Sequence, residues 1–202
     1  MDPTKEFDNI ITFYFSYIVC YDNYFSIDLQ RKTNLLYPPF KRKINTMLDR
    51  YLELDNSQIP KIFETYRSLK RQKELYYENK TKIMSAGFHH FGLAADIVFL
   101  KDNQITWEGN YNMLNNIAIP IGLFKTGFNE QCHYQYYSDN ILQQLRVYAK
   151  TKVIRFQQMY KLKDDGIIGP VTKQTMFHHY WGKSSVDMQM KVRNCDFNNN
   201  IL

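Results

Sequence analysis

His89, Gly92 and Asp96 stand within the stretch SAGFHHFGLAADIVFL at 85–100, with the aspartate inside the apolar run 93–100. A run of that composition predicts a buried β-strand. An ionised carboxylate there is costly unless a cation or several donors meet it. His89, seven residues earlier across a turn at Gly92, can offer a neutral nitrogen to the same cation. A lone histidine would read as a hydrogen-bonded core residue. The pattern His-x-x-Gly-x-Ala-x-Asp reads instead as two ligands of a metal site on a turn and the strand after it. His90 is the alternative ligand if the loop register differs, and the spacing to Gly92 favours His89.

A catalytic zinc needs three protein ligands and an open position. The segment Glu130-Gln-Cys-His133 offers the third ligand and a base. Residues 128–137 read as a strand with His133 and Gln135 on one face and Tyr134 and Tyr136 on the other. Glu130 then sits in the turn before it, placed to take a proton from a zinc-acidified water as that water attacks an amide carbonyl. No His-Glu-x-x-His helix is present, which excludes the common zinc-protease motif. Cys132 neighbours His133 and, by strand alternation, is expected to be buried and inert.

Three motifs occur in order: Tyr66-Arg67-Ser68 with Gln72, then His89 to Asp96, then Glu130 and His133. Together they resemble the zinc D-Ala-D-Ala carboxypeptidases and L-alanyl-D-glutamate endopeptidases of bacteria and their phages, over residues 36–138. The resemblance implies that His89, Asp96 and His133 bind zinc (Zn2+) and that Glu130 is the general base and later the acid. It implies that Arg67 binds the scissile carbonyl oxygen or a nearby substrate carboxylate, which suits its planar, permanently charged fork. Gln72 is expected beside the substrate or in the packing behind Arg67. Two positions depart from the family pattern: Gly87 where many relatives carry Ser, and Cys132 where they usually carry Pro or Trp.

The elements that must position these residues are partly legible. Pro38 and Pro39 open a helix in which Phe40, Ile44, Met47, Leu48, Tyr51 and Leu52 recur at helical spacing, closed by residues 55–57. A short strand is expected at 59–65, and Ser68 is placed to cap a helix over 69–79. A loop at 80–88 leads to the strand at 93–100, a turn at 101–104 and a partner strand at 105–107. Helical spacing returns at 111–117 and again from Asp139 onward. The fold class expected is α+β, a small antiparallel sheet carrying the zinc site, flanked by helices, with a C-terminal helical appendage.

Residues 1–35 read as an N-terminal extension, 36–143 as the zinc peptidase domain and 144–202 as a helical peptidoglycan-binding-like segment. In that last segment Phe156-Gln157, Asp165-Gly-Ile-Ile-Gly-Pro170 and Thr172 resemble the second half of a small peptidoglycan-binding module whose first half is missing. The other reading is a helical extension packed on the catalytic domain. His178 and His179 lie past the motif and are expected at the surface.

With 202 residues, the chain is long enough for one good core plus a small appendage. A net charge of +6 and a pI near 9.0 favour an anionic partner, for which nucleic acid, a membrane surface and an anionic cell-wall polymer all qualify. No Lys/Arg block argues for nucleic acid. Cys20, Cys132 and Cys195 form no CxxC and no even framework, which suits synthesis in a reducing compartment. The apolar residues 10–21 are too short to span a bilayer, follow an acidic start and precede no cleavage site, so neither a membrane span nor a signal peptide is expected. The expectation is a monomeric, peptidoglycan-cleaving zinc peptidase made in the cytoplasm and acting on the wall or periplasm. Its settings are an endolysin exported through a holin pore or a delivered effector with a cognate immunity protein. The reading from another class is a non-catalytic, zinc-containing wall-binding protein.

Overall fold

The computed structural model describes residues 3–125 and 131–182. Glu130, Cys195, the start of the strand expected at 128–137 and the asparagine-rich end at 198–202 lie outside the described residues. The fold is α+β, with a small antiparallel sheet and flanking helices, as the sequence predicts. The chain divides into two compact units, Phe25–Arg146 and a second made of Met1–Tyr24 with Val147–Leu202.

The first unit is built around β2, Ala94–Lys101, whose Ala94, Ala95, Ile97, Val98 and Phe99 are all buried. β1, Ile59–Glu64, pairs with one edge of β2; β4, His133–Gln135, and β3, Gln104–Thr106, share the other. Asp102 and Asn103 both adopt positive φ, the two-residue turn that matches strand twist, and join β2 to β3. Register carries the functional consequence. Asp96 lies opposite Glu64 on one side and opposite His133 on the other, so the three form one transverse row on one face of the sheet. A bulge between Ile62 and Glu64 makes this row possible, because it takes Phe63 out of register and brings Glu64 opposite Asp96.

Three helices flank the sheet. In α2, Pro38–Leu54, two prolines occupy the first turn, and Phe40, Ile44, Met47 and Tyr51 form the buried stripe. Leu52 of the expected stripe is instead partly exposed. Ser68 caps α3, Leu69–Tyr77, by accepting from the Arg71 amide at 3.1 Å, and Asn110 does the same for α4, Tyr111–Ala118, through Met113. The polar stretch before α2 is a strap: Gln30 O accepts from both Thr65 N (2.8 Å) and Thr65 Oγ1 (3.0 Å).

The second unit joins the two ends of the chain. α1, Pro3–Phe13, runs into a π-helical segment, Tyr14–Val19, whose Tyr14, Phe15, Ile18 and Val19 are buried. To this unit belong α5, Leu142–Met159, from Val147 on, and α6, Pro170–Trp181. Phe15 meets Phe156 edge-on at 6.3 Å, Tyr17 meets Trp181 at 5.5 Å, and Trp181 Nε1 donates to Ser16 O at 2.6 Å. Lys152 and Tyr148 of α5 both reach Asp8. Residues 3–24 therefore pack with the C-terminal helices rather than standing apart as part of a 1–35 extension.

Ile18 is fully buried in this second unit. Ile18→Ala should cost about 2–5 kcal/mol there, read by urea unfolding followed at Trp181 in a Trp107→Phe background. A loss below about 1 kcal/mol would show that the π-helical segment is not part of that core.

Candidate metal centre

Each imidazole at the site has its tautomer fixed from behind. His89 sits in the 3-10 turn Phe88–Phe91, which Gly92 closes at φ 69°. His89 Nδ1 lies 2.8 Å from Thr65 O. A carbonyl oxygen only accepts, so Nδ1 carries the proton and Nε2 keeps its lone pair. His133 is fixed through two links. Gln135 Nε2 donates to Asp139 Oδ1 at 2.8 Å, which turns Gln135 Oε1 toward His133 Nε2 at 3.1 Å. That oxygen takes the Nε2 proton and leaves His133 Nδ1 as an acceptor.

The two lone pairs converge on a third acceptor. His89 Nε2 is 3.2 Å from Asp96 Oδ1, His133 Nδ1 is 2.9 Å from the same oxygen, and the two nitrogens are 3.2 Å apart. Three acceptors this close repel unless a proton or cation lies among them. A tetrahedral zinc with bonds of about 2.0–2.1 Å sets its donors about 3.3 Å apart. Donor chemistry and spacing both fit such an ion.

The other oxygen of Asp96 faces Arg67, whose Nη2 donates to Oδ2 at 3.0 Å. Arg67 also forks onto Glu64 Oε2 and reaches Gln72 Oε1 at 3.4 Å. Gln72 is buried, and its Nε2 binds Thr81 Oγ1 and Ile83 O, tying the loop after α3 to the site. His89, Asp96, His133, Arg67 and Gln72 are thus brought together, while Glu130 lies outside the described residues. Sequence reading overlooked Glu64 and Asp139; a carboxylate at the end of a largely apolar strand was the available signal for Glu64.

The structure also places His90 and Cys132. His90 points away from the cluster, with Nδ1 3.2 Å from Arg67 O, so His89 is the residue that faces Asp96. Cys132 is half-buried and lines the same cleft, which corrects its expected burial. Residues 131–132 form a turn entering β4, so strand alternation does not govern them. The cleft has a volume of about 660 Å³, and Phe63, Trp107, Lys80, Lys82 and Ile83 line it beside the histidines.

In the second unit, Gln157 is buried and organises the loop between α5 and α6. Its Nε2 donates to Ile167 O (2.9 Å), Asp165 Oδ1 (3.2 Å) and Thr172 Oγ1 (3.3 Å), and its Oε1 accepts from Gly166 N (2.9 Å). Gly166 turns at φ 73°, where a side chain would be strained. The Gln, Asp-Gly and Thr of the sequence motif are one hydrogen-bonded frame. His178 and His179 are exposed, as expected.

Residues 133–176 match the model of the family described as "Putative peptidoglycan binding domain". The structure is similar to the L-Ala D-Glu endopeptidase ChiX of Serratia marcescens, with 22% identity and a TM-score of 0.41, covering 51% of this chain and 81% of that one. A search of curated proteins finds no match. Among the described residues, no helix is long and apolar enough to cross a membrane.

Burial lowers the His90 pKa from 6.5 to about 4. Between those values the unfolded chain takes up a proton that the folded chain refuses. This contribution to stability is therefore complete above about pH 6.5 and is lost as pH falls toward 4, by up to about 1.4 kcal/mol per pH unit. Denaturant unfolding of His90→Gln across that range should show a shallower slope than wild type. Metal analysis should find one zinc per chain in protein purified without chelator, lost in His133→Ala. Uptake elsewhere, or none, would remove the site.

Proposed function

We propose that this protein is a zinc-dependent peptidase that hydrolyses an amide bond in the peptide stem of peptidoglycan, of the L-Ala-D-Glu endopeptidase or D-Ala-D-Ala carboxypeptidase type. The observation that carries this reading is the convergence of His89 Nε2, His133 Nδ1 and Asp96 Oδ1 at the wall of an open cleft. Support comes from the three ordered motifs and from the peptidoglycan-binding match over residues 133–176. An endolysin that meets the wall during host lysis is the setting in which both parts would serve.

Zinc held by two imidazoles and one carboxylate would supply a Lewis acid that acidifies water and polarises an amide carbonyl. In this reading Glu130 takes the proton of the attacking water and returns it to the departing amine, so the nitrogen leaves neutral. Thr65 O and Gln135 hold the two imidazoles in the tautomers that ligation requires. Arg67 and Gln72 form the wall next to Asp96, on the side where the substrate's carbonyl or carboxylate would lie. The frame around Gln157 serves attachment to the wall rather than the chemistry.

Digestion of purified peptidoglycan, followed by mass spectrometry of the released fragments, identifies the bond. Glu130→Gln should lower hydrolysis by roughly 10²–10⁴-fold with zinc content and fold retained. Equal release by wild type and Glu130→Gln would remove Glu130 as the base. No release by a zinc-loaded wild type would favour the wall-binding reading.

A further inference from the structure

Glu64 is a carboxylate that the motifs leave without a role. It is 2% exposed and ends a strand whose other residues are largely apolar. Isolated there it would be very costly, and it is not isolated. Arg67 donates to its Oε2 through both Nε and Nη2, and Arg71 Nε donates to its Oε1 at 2.6 Å. Arg71 is anchored in turn by Nη1 to Ile27 O at 3.1 Å. Burial pushes the Glu64 carboxyl up, yet the Arg67 guanidinium outweighs it and keeps the group below its ordinary value.

Two independent features aim this group at the metal centre. The bulge at Phe63 places Glu64, not Phe63, opposite Asp96 in the sheet. The Nη2 group of Arg67 then touches both carboxylates, Glu64 through Oε2 and Asp96 through Oδ2. Asp96 is divided as a result: Oδ2 is occupied by Arg67, and Oδ1 alone faces the two histidine nitrogens. The local charge also balances, with two guanidinium groups against two carboxylates. Without Glu64, a dication arriving at Asp96 would meet two guanidinium charges and one carboxylate.

We propose that Glu64 is a positioning residue of the metal centre: through Arg67 it fixes Asp96 as a one-oxygen ligand, and it cancels the guanidinium charge beside the incoming dication. The proposal rests on the metal-site reading above. It gives Arg67 the work of a clamp on a ligand, and it assigns Glu64 to outer-shell control of metal affinity.

The test uses the full chain, zinc affinity by competition with a chromophoric chelator, and the visible spectrum of the Co2+-loaded protein. Glu64→Gln keeps the shape and removes the charge. It should weaken zinc binding about 10–100-fold and lower the intensity of the cobalt bands as Asp96 turns toward two-oxygen ligation, with the far-UV circular dichroism unchanged. Glu64→Asp, which restores the charge, should recover part of that affinity. Wild-type affinity and an unchanged cobalt spectrum in Glu64→Gln would overturn the proposal. Should Glu64→Gln not fold, Arg67→Lys decides: it keeps the positive charge but cannot fork across both carboxylates, and undiminished zinc affinity in it would equally overturn the clamp. A wild-type chain that takes up no zinc overturns the metal centre itself. Uptake that is equal in wild type and Glu64→Gln overturns only the role of Glu64.

Discussion

A carboxylate in the middle of an apolar strand imposes a condition on every group around it, and much of the Phe25–Arg146 unit can be understood as meeting that condition. Asp96 is half-buried in β2 and meets the cleft with only a small part of its surface, so its oxygens must be matched largely by protein groups or by an ion. Pairing on both edges of β2 delivers a partner from each side in a single row. Arg67 matches one oxygen with a donor; two imidazoles present lone pairs to the other. A site of three acceptors is unstable as a purely organic cluster and well suited to a cation. The same arrangement accounts for the remote partners, since Thr65, Gln135 and Asp139 matter only because the imidazole protons must point outward.

The peptidoglycan-binding match begins at His133, inside the strand that carries one of the candidate ligands, and continues to Met176 in α6. Its frame is local: Gln157 on α5 gathers Asp165, Gly166, Ile167 and Thr172 within one loop and the start of the next helix. The apolar faces of α5 and α6 need more than each other, and the segment from Ile10 to Val19 supplies buried side chains in the same unit. The match covers residues 133–155 as well, upstream of Phe156, where the first half of the module was expected to be missing.

How much of this could be read in advance depended on the range of the interaction. Two of the three candidate ligands, His89 and Asp96, were legible because the His-x-x-Gly-x-Ala-x-Asp spacing is fixed by one turn and one strand, both short-range structures. The Ser68 cap, the prolines opening α2 and the Asp165-Gly166 turn were legible for the same reason. Glu64 was not, because its meaning comes from a bulge that shifts register by one residue, and periodicity does not reveal a bulge. Cys132 was misjudged because β4 begins only at His133, so the alternation expected of a strand over 128–137 does not reach it. The place of residues 10–19 was also hidden: their apolar character announces burial but not the partner, which lies some 140 residues away in sequence.

That split has a consequence for synthesis. The sheet unit is a continuous stretch of chain, Phe25–Arg146, and holds all three candidate ligands. The helical unit is discontinuous and resembles a host into which the sheet unit has been inserted. On the ribosome, Ile10, Phe15 and Ile18 emerge ahead of Phe156 and Met176 and have no core to join until those follow. The metal-site unit can thus complete its fold while the helical unit is still waiting to close, and the apolar N-terminal segment passes that interval exposed to chaperones.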